Sequence, residues 1–174
     1  TPKFLLEALS TEELENALRA YFNMVECLDW LQHMMAQATD QALRSNEYIK
    51  IAKIAFSAGR VFEQSQGHAK ALDMYKIVFR ILARQGGLLI AKLNTIARIL
   101  YNYFQMKEYN AAIEFYNQMK GFVLSNAEGR GDGTGNQHYL IIIEILNIVN
   151  QILLPLNVFQ QVIENYEKIQ LIVS

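Results

Sequence analysis

The chain has 174 residues, of which 52% are apolar and 19% charged, and its formal net charge is −1. High apolar content with so little net charge excludes an intrinsically disordered chain, and the length suffices for one domain with a sizeable core. The single cysteine, Cys27, excludes the disulfide framework of small secreted domains. The nearly balanced charge supplies no global field that would draw the chain to nucleic acid or to an anionic membrane.

The first predicted element is a long N-terminal helix over residues 11–44, with an interruption near Thr39. It begins at a capping box, in which the side chains of Ser10 and Glu13 accept hydrogen bonds from each other's backbone N–H groups. Apolar residues then follow at intervals of three and four, which is the spacing of one helix face. The two prolines are Pro2 and Pro155, so no proline breaks a helix between them.

Six further helices are predicted, because apolar residues keep helical spacing and glycines or Pro155 separate the segments. They cover residues 47–64, 68–84, 88–105, 109–124, 137–154 and 158–173. Residues 126–136 hold four glycines and form a predicted flexible loop. Since no segment alternates apolar and polar residues between hairpin turns, the sequence predicts an all-α chain of about seven helices in antiparallel pairs.

Two of the predicted pairs share a pattern of small and aromatic residues. At a spacing of 41 positions, three residues of the first pair match three of the second: Phe62 with Tyr103, Ala71 with Ala112, and Tyr75 with Tyr116. Gly59 matches Leu100 in the same register, and Tyr166 repeats the second aromatic position in the last pair. A small residue lets two helices approach closely, aromatic rings fill the space beside them, and such pairs bury their faces by stacking.

This pattern resembles the tetratricopeptide repeat family, whose units pair a small residue and an aromatic in one helix with alanine and an aromatic in the next. Its usual unit is about 34 residues, so the longer spacing here implies longer helices. The resemblance implies one helical-repeat domain, a right-handed superhelix of helix pairs. Its repeats cover 47–85, 88–125 and, in degenerate form, 137–173. Eight residues carry the packing signature: Gly59, Phe62, Ala71, Tyr75, Tyr103, Ala112, Tyr116 and Tyr166.

Residues capable of catalysis or metal binding are scattered. The three histidines lie on three different predicted elements, and Glu26, Asp29 and His33 share one helix side without a second pair of ligands. Cys27 is flanked by acidic residues, which oppose a reactive thiolate. The loop around Gly129–Gly135 follows no strand and precedes no Gly-Lys-Ser/Thr. We therefore expect no enzyme activity, no metal site and no cofactor.

The resemblance implies that the first helix of each pair lines a concave, partner-binding surface. The residues at the usual groove positions are Lys53, Arg60, Asn94, Arg98, Tyr101, Glu144, Asn147 and Gln151. Arg60 and Arg98 are candidates for charge-assisted hydrogen bonds to a carboxylate of an extended peptide. Basic residues are otherwise scattered and not interleaved with exposed aromatics, so no nucleic-acid partner is expected.

The function predicted from these features is a non-enzymatic module or scaffold subunit that binds a partner protein or peptide. The alternative is a regulatory domain that senses a peptide or small ligand by closing its superhelix. The last residues, 169–174, stay apolar although repeat arrays usually finish with a polar helix, so more chain, a second copy or a partner is expected to cover them.

Features of the chain ends and of the most apolar stretch bear on its context. The start at Thr1 is consistent with a fragment of a longer protein. Without a signal peptide or an N-x-[ST] acceptor site, we expect a cytoplasmic or nuclear protein. Residues 139–158 are the most apolar, but they hold too many polar groups for a membrane span.

Overall fold

A computed structural model describes residues 10–21, 24–128 and 137–174. The predicted all-α class is confirmed: across these ranges the regular structure is helical and contains no strand. The α-helices are α1 (Thr11–Tyr21), α2 (Met24–Ala36), α3 (Asn46–Gln64), α4 (His68–Leu82), α5 (Leu89–Gln105), α6 (Tyr109–Ser125), α7 (Gln137–Leu153) and α8 (Phe159–Val173). The predicted loop falls largely on residues 129–136, which lie outside the described ranges, as do residues 22–23.

For the N-terminal region the sequence predicts a helix over residues 11–44 with an interruption near Thr39, and the structure describes α1 and α2 there. The capping box is present, since Ser10 N–H donates to Glu13 Oε2 at 2.9 Å and Glu13 N–H donates to Ser10 Oγ at 3.1 Å. The helical path stops after Ala36, and a 3-10 turn occupies Ala42–Arg44. The side chain of Thr39 accepts a hydrogen bond from the Ala42 N–H at 3.1 Å, which explains why the chain turns at this point.

The chain divides into two compact units, residues 1–88 and 89–174. The division falls where the second predicted repeat begins. Gly87 and Leu88 both have positive φ, at 71° and 57°, so the connection between α4 and α5 cannot continue as a helix.

In the first unit, α3 and α4 pack closely along their length, with α1 and α2 against α3 and α2 against α4. The closest approach is at Gly59, where an added Cβ would lie 2.8 Å from Cε1 of Tyr75. The ring of Phe56 meets the ring of Tyr75 edge-on, with 5.3 Å between centroids. The glycine is therefore required by the tyrosine, which is fully buried.

In the second unit, α5 and α7 form the central contact, α6 packs on both, and α8 packs mainly on α7. The core between them is largely aliphatic and also holds the ring of Tyr116. Its fully buried members include Leu93, Leu100, Ile142, Ile145, Leu146 and Val149.

A chain of polar side chains crosses this second unit from its surface to its core. Asn165 Nδ2 donates to Asn150 Oδ1 at 2.9 Å, and both residues are buried. Gln161 donates to Asn165 Oδ1 at 3.0 Å, and Lys120 donates to Gln161 at 3.5 Å. The network joins α6, α7 and α8 and fixes how α8 lies on α7, because a buried amide without a partner would be costly.

Candidate functional site

Polar and aromatic residues lie on the neighbouring helices α5 and α7. On α5, Asn94, Arg98 and Tyr101 follow at intervals of four and three, which places them on one side of the helix. On α7, Glu144, Asn147 and Gln151 do the same, and all three are exposed. We call this set the α5–α7 face.

The α5–α7 face is organised around Arg98. Its Nη2 donates to Glu144 Oε1 at 3.1 Å, which links the two helices. Its guanidinium carbon lies 4.7 Å from the centroid of the Tyr101 ring, in a cation–π arrangement. Asn102, buried beneath, donates to the backbone carbonyl of Arg98 at 2.8 Å. The arginine is thus held in one orientation by a ring and a carboxylate.

The ion pair between Arg98 and Glu144 is partly open to water. The side chains of Arg98 and Glu144 retain 25% and 48% of their exposure. An ion pair in such surroundings contributes about 0–1 kcal/mol, because water screens it. The pair is therefore weak, while the ring of Tyr101 stays against the guanidinium.

The other predicted arginine is already engaged within the first unit. Arg60 Nε lies 3.1 Å from Oε1 of Glu15, a residue of α1 that is only 8% exposed. Arg19 of the same helix lies 3.9 Å from Glu15 and bonds to Gln64 of α3. The chain's own carboxylate therefore stands where the sequence analysis places a peptide carboxylate.

Sequence reasoning missed the role of Glu15. The available signal was weak: Glu15 and Arg19 sit four apart, as exposed ion pairs on helices often do. Lys53, the other groove candidate of this unit, is exposed on α3. The predicted groove residues thus divide between the units, with Lys53 and Arg60 in the first and the α5–α7 face in the second.

The packing-signature residues are buried in the first two pairs and exposed in the third. Tyr75 is 0% exposed and Tyr116 is 2% exposed, whereas Tyr166 is 50% exposed. The remaining signature residues are also buried: Gly59, Phe62, Ala71, Tyr103 and Ala112.

Tyr166 belongs to an apolar surface on α8. Phe159, Ile163 and Val173 are also exposed, at 55%, 51% and 68%. With Tyr166 included, the successive intervals from Phe159 to Val173 are four, three and seven residues. This spacing places the four side chains on one side of the helix. We call them the α8 stripe.

An open cleft of about 550 Å³ lies between the ends of α6 and α8. It is lined by Leu124, Ala127, Glu128, Lys168, Leu171, Ile172 and Ser174. The apolar residues predicted at the end of the chain thus line the cleft in part, while Leu171 and Val173 remain largely exposed.

Groups capable of covalent or metal chemistry are few in the described ranges. Burial raises the pKa of the Cys27 thiol to about 12, so the reactive thiolate is suppressed at neutral pH. Within residues 10–21, 24–128 and 137–174, no three His, Cys, Asp or Glu side chains lie close enough to hold a metal ion. Among the helices described, none is both long and apolar enough to cross a bilayer.

Comparison of the chain with protein-family models, with curated proteins and with solved structures found no match. The α5–α7 face and the α8 stripe are therefore the two surfaces from which a function is proposed.

Proposed function

We propose that the chain is a non-enzymatic helical-repeat module that binds a partner protein or peptide through exposed helix faces. The observation that carries the proposal is the oriented guanidinium of Arg98 on the α5–α7 face, held by Tyr101 and Glu144. A pre-oriented cation loses little freedom when a carboxylate binds it, so less of the binding energy is lost to ordering.

The partner chemistry follows from the residues around Arg98. A carboxylate from an acidic side chain or a C-terminus would take the place of Glu144 on the guanidinium. The amides of Asn94, Asn147 and Gln151 offer donors and acceptors to the backbone of an extended peptide. We therefore propose an acidic, extended peptide segment as the ligand of this face.

We also propose that the helix pairs continue one another as a right-handed superhelix, as in the family that the sequence resembles. Support comes from the shared register of Tyr75 and Tyr116, each buried within its own unit. Small-angle scattering tests this arrangement: the measured curve should fit an extended stack of pairs, and a curve that fits two freely jointed units would contradict it.

A displayed library of short peptides tests the binding function. We expect selection for segments with Asp, Glu or a free C-terminal carboxylate, and a loss of affinity of about tenfold or more in Arg98→Glu, since a charge reversal turns attraction into repulsion. Arg44→Glu is the matched control, because Arg44 is exposed on the 3-10 turn of the first unit. Selection of peptides without acidic groups, or equal losses in both variants, would contradict the proposal.

A further inference from the structure

The α8 stripe differs from the same surface on the two earlier helices of its repeat position. In repeat register, the residues that match Ile163, Tyr166 and Val173 are Leu72, Tyr75 and Leu82 on α4, and Ile113, Tyr116 and Val123 on α6. Five of these six are buried and Ile113 is half-buried, whereas all three on α8 are at least half exposed. The chain thus builds the same apolar surface three times and covers it twice.

The neighbours of α6 show what covers such a surface. Within the second unit, α6 packs on α5, its own pair, and also on α7, the first helix of the following pair. α8 packs mainly on α7, its own pair. α4 likewise packs on two helices, α3 and α2, so each of the covered surfaces belongs to a helix with two neighbours. The missing neighbour on α8 is therefore a second α-helix, with apolar residues at intervals of three and four.

The charge beside the α8 stripe specifies that helix further. At about 100° per residue, Glu167 lies about 40° from Ile163 on the edge of the stripe that faces away from α7, and Gln160 and Glu164 follow further round the helix. The one basic residue of α8, Lys168, lies beyond Glu164 and lines the cleft with Leu124. Since the charged groups along the open edge are acidic, the complementary helix carries Lys or Arg beside its apolar residues.

The same charges oppose a second copy of this chain as the occupant. A two-fold pair of antiparallel α8 helices would place each edge against its own copy, since an isologous interface uses one patch twice. Glu164 and Glu167 would then face the same carboxylates across the contact, which disfavours the pair.

We infer that the α8 stripe binds a basic amphipathic α-helix of a partner protein. The inference rests on the proposed interaction function, and it names a second surface and a second ligand class. The α5–α7 face takes an acidic extended peptide, whereas the α8 stripe takes a basic helix. The proposal for one surface can therefore be wrong while the proposal for the other is right.

Fluorescence anisotropy with synthetic peptides of about 18 residues, five helical turns, provides the test. One peptide carries Leu at helical intervals with Lys beside the stripe, and its twin carries Glu at the same places. We expect the Lys peptide to bind about tenfold or more tightly than the Glu peptide, and Ile163→Glu to weaken binding by about tenfold or more. Glu167→Lys should narrow or reverse the preference between the peptides.

Leu140→Glu is the matched control, because Leu140 is also an exposed apolar residue, at 66%, on α7. Thermal unfolding by circular dichroism should be unchanged in both variants, since each replaces an exposed side chain. Equal binding of the two peptides, or equal losses in Ile163→Glu and Leu140→Glu, would overturn the inference. So would a concentration-dependent dimer in sedimentation that Ile163→Glu abolishes, because the occupant would then be a second copy.

Discussion

The contact between α3 and α4 and the contact between α7 and α8 occupy the same place in the repeat register but are built differently. In the first, Gly59 allows the ring of Tyr75 to lie against the backbone of α3. In the second, Asn150 stands at the glycine position and bonds to Asn165, the residue before Tyr166. The tyrosine that completes a core in the first pair is left on the surface in the third.

This difference shows how one helix-pair pattern can bury an aromatic residue in one pair and leave it exposed in another. A glycine beside a ring makes a dry, close contact that uses the aromatic residue inside the unit. An amide pair fixes α8 on α7 through hydrogen bonds instead, so the helix does not need its apolar stripe for its own packing. The stripe therefore stays exposed.

Removal of the two tyrosines gives the largest expected contrast. Tyr75→Ala should lower the free energy of unfolding by about 3–5 kcal/mol, since it leaves a cavity in the core. Tyr166→Ala should change it by about 0.5 kcal/mol or less, because the side chain is half exposed. Urea unfolding followed by circular dichroism and by fluorescence of Trp30 in the first unit measures both, and similar losses would show that the two contacts are equivalent.

Replacement of the two buried asparagines tests the contact between α7 and α8. Asn150→Leu or Asn165→Leu alone should lower the free energy of unfolding by about 1–3 kcal/mol, because each leaves a buried amide without its partner. The double variant should lose less than the sum of the singles, since both polar groups are then gone. Additive losses in a double-mutant cycle would refute the coupling.

Gly59→Ala tests how closely the backbone of α3 approaches the ring of Tyr75. The added methyl would meet the ring of Tyr75 at 2.8 Å, so we expect a loss of about 1–3 kcal/mol, reduced when Tyr75→Leu is present as well. Gly121→Ala is the control, because nothing lies within 4 Å of its Cβ position on α6. That control should gain about 0.5–1 kcal/mol from alanine's higher helix propensity. A neutral Gly59→Ala would contradict the close approach.

The smallest expected effect concerns Tyr116 of the second pair. Burial raises its pKa to about 12, and its hydroxyl has no hydrogen-bond partner in the described part of the chain. Unfolded tyrosine ionises near pH 10, so the unfolded chain loses this proton at lower pH than the folded chain. The ionisation of Tyr116 therefore leaves the free energy of unfolding unchanged below about pH 10 and lowers it as pH rises towards 12. Tyr116→Phe should leave stability near neutral pH unchanged or slightly higher and should flatten the alkaline decline. If urea unfolding showed that the stability of Tyr116→Phe declines more steeply at alkaline pH than that of the unaltered protein, the burial of the hydroxyl would be contradicted.

The helices and the first pair contact could be predicted from the sequence because their causes are local. Glycines at 67 and 86–87 separate apolar segments of helical period, and Gly59 with Tyr75 follows a repeated pattern. The ion pair of Arg60 with Glu15 could not, since it depends on where α1 packs along α3. The buried Asn150–Asn165 bond also escaped prediction, because an asparagine on an apolar helix does not reveal which neighbour it meets.

The exposure of Tyr166 could not be predicted for the same reason, because it depends on how the helices pack. Its spacing is that of a core residue, and only the arrangement of α7 and α8 shows that it faces outward. The sequence did indicate an uncovered apolar end at residues 169–174, and the structure extends that exposed surface back to Phe159.

The most direct test of a built-in interaction surface is hydrogen–deuterium exchange of the chain with and without the Lys-bearing helical peptide. We predict slower exchange within α8, residues 159–173, and unchanged exchange in α3 and α4, whose equivalent surface is already covered. Protection in α3 or α4 with none in α8, or no protection anywhere at saturating peptide, would contradict the account.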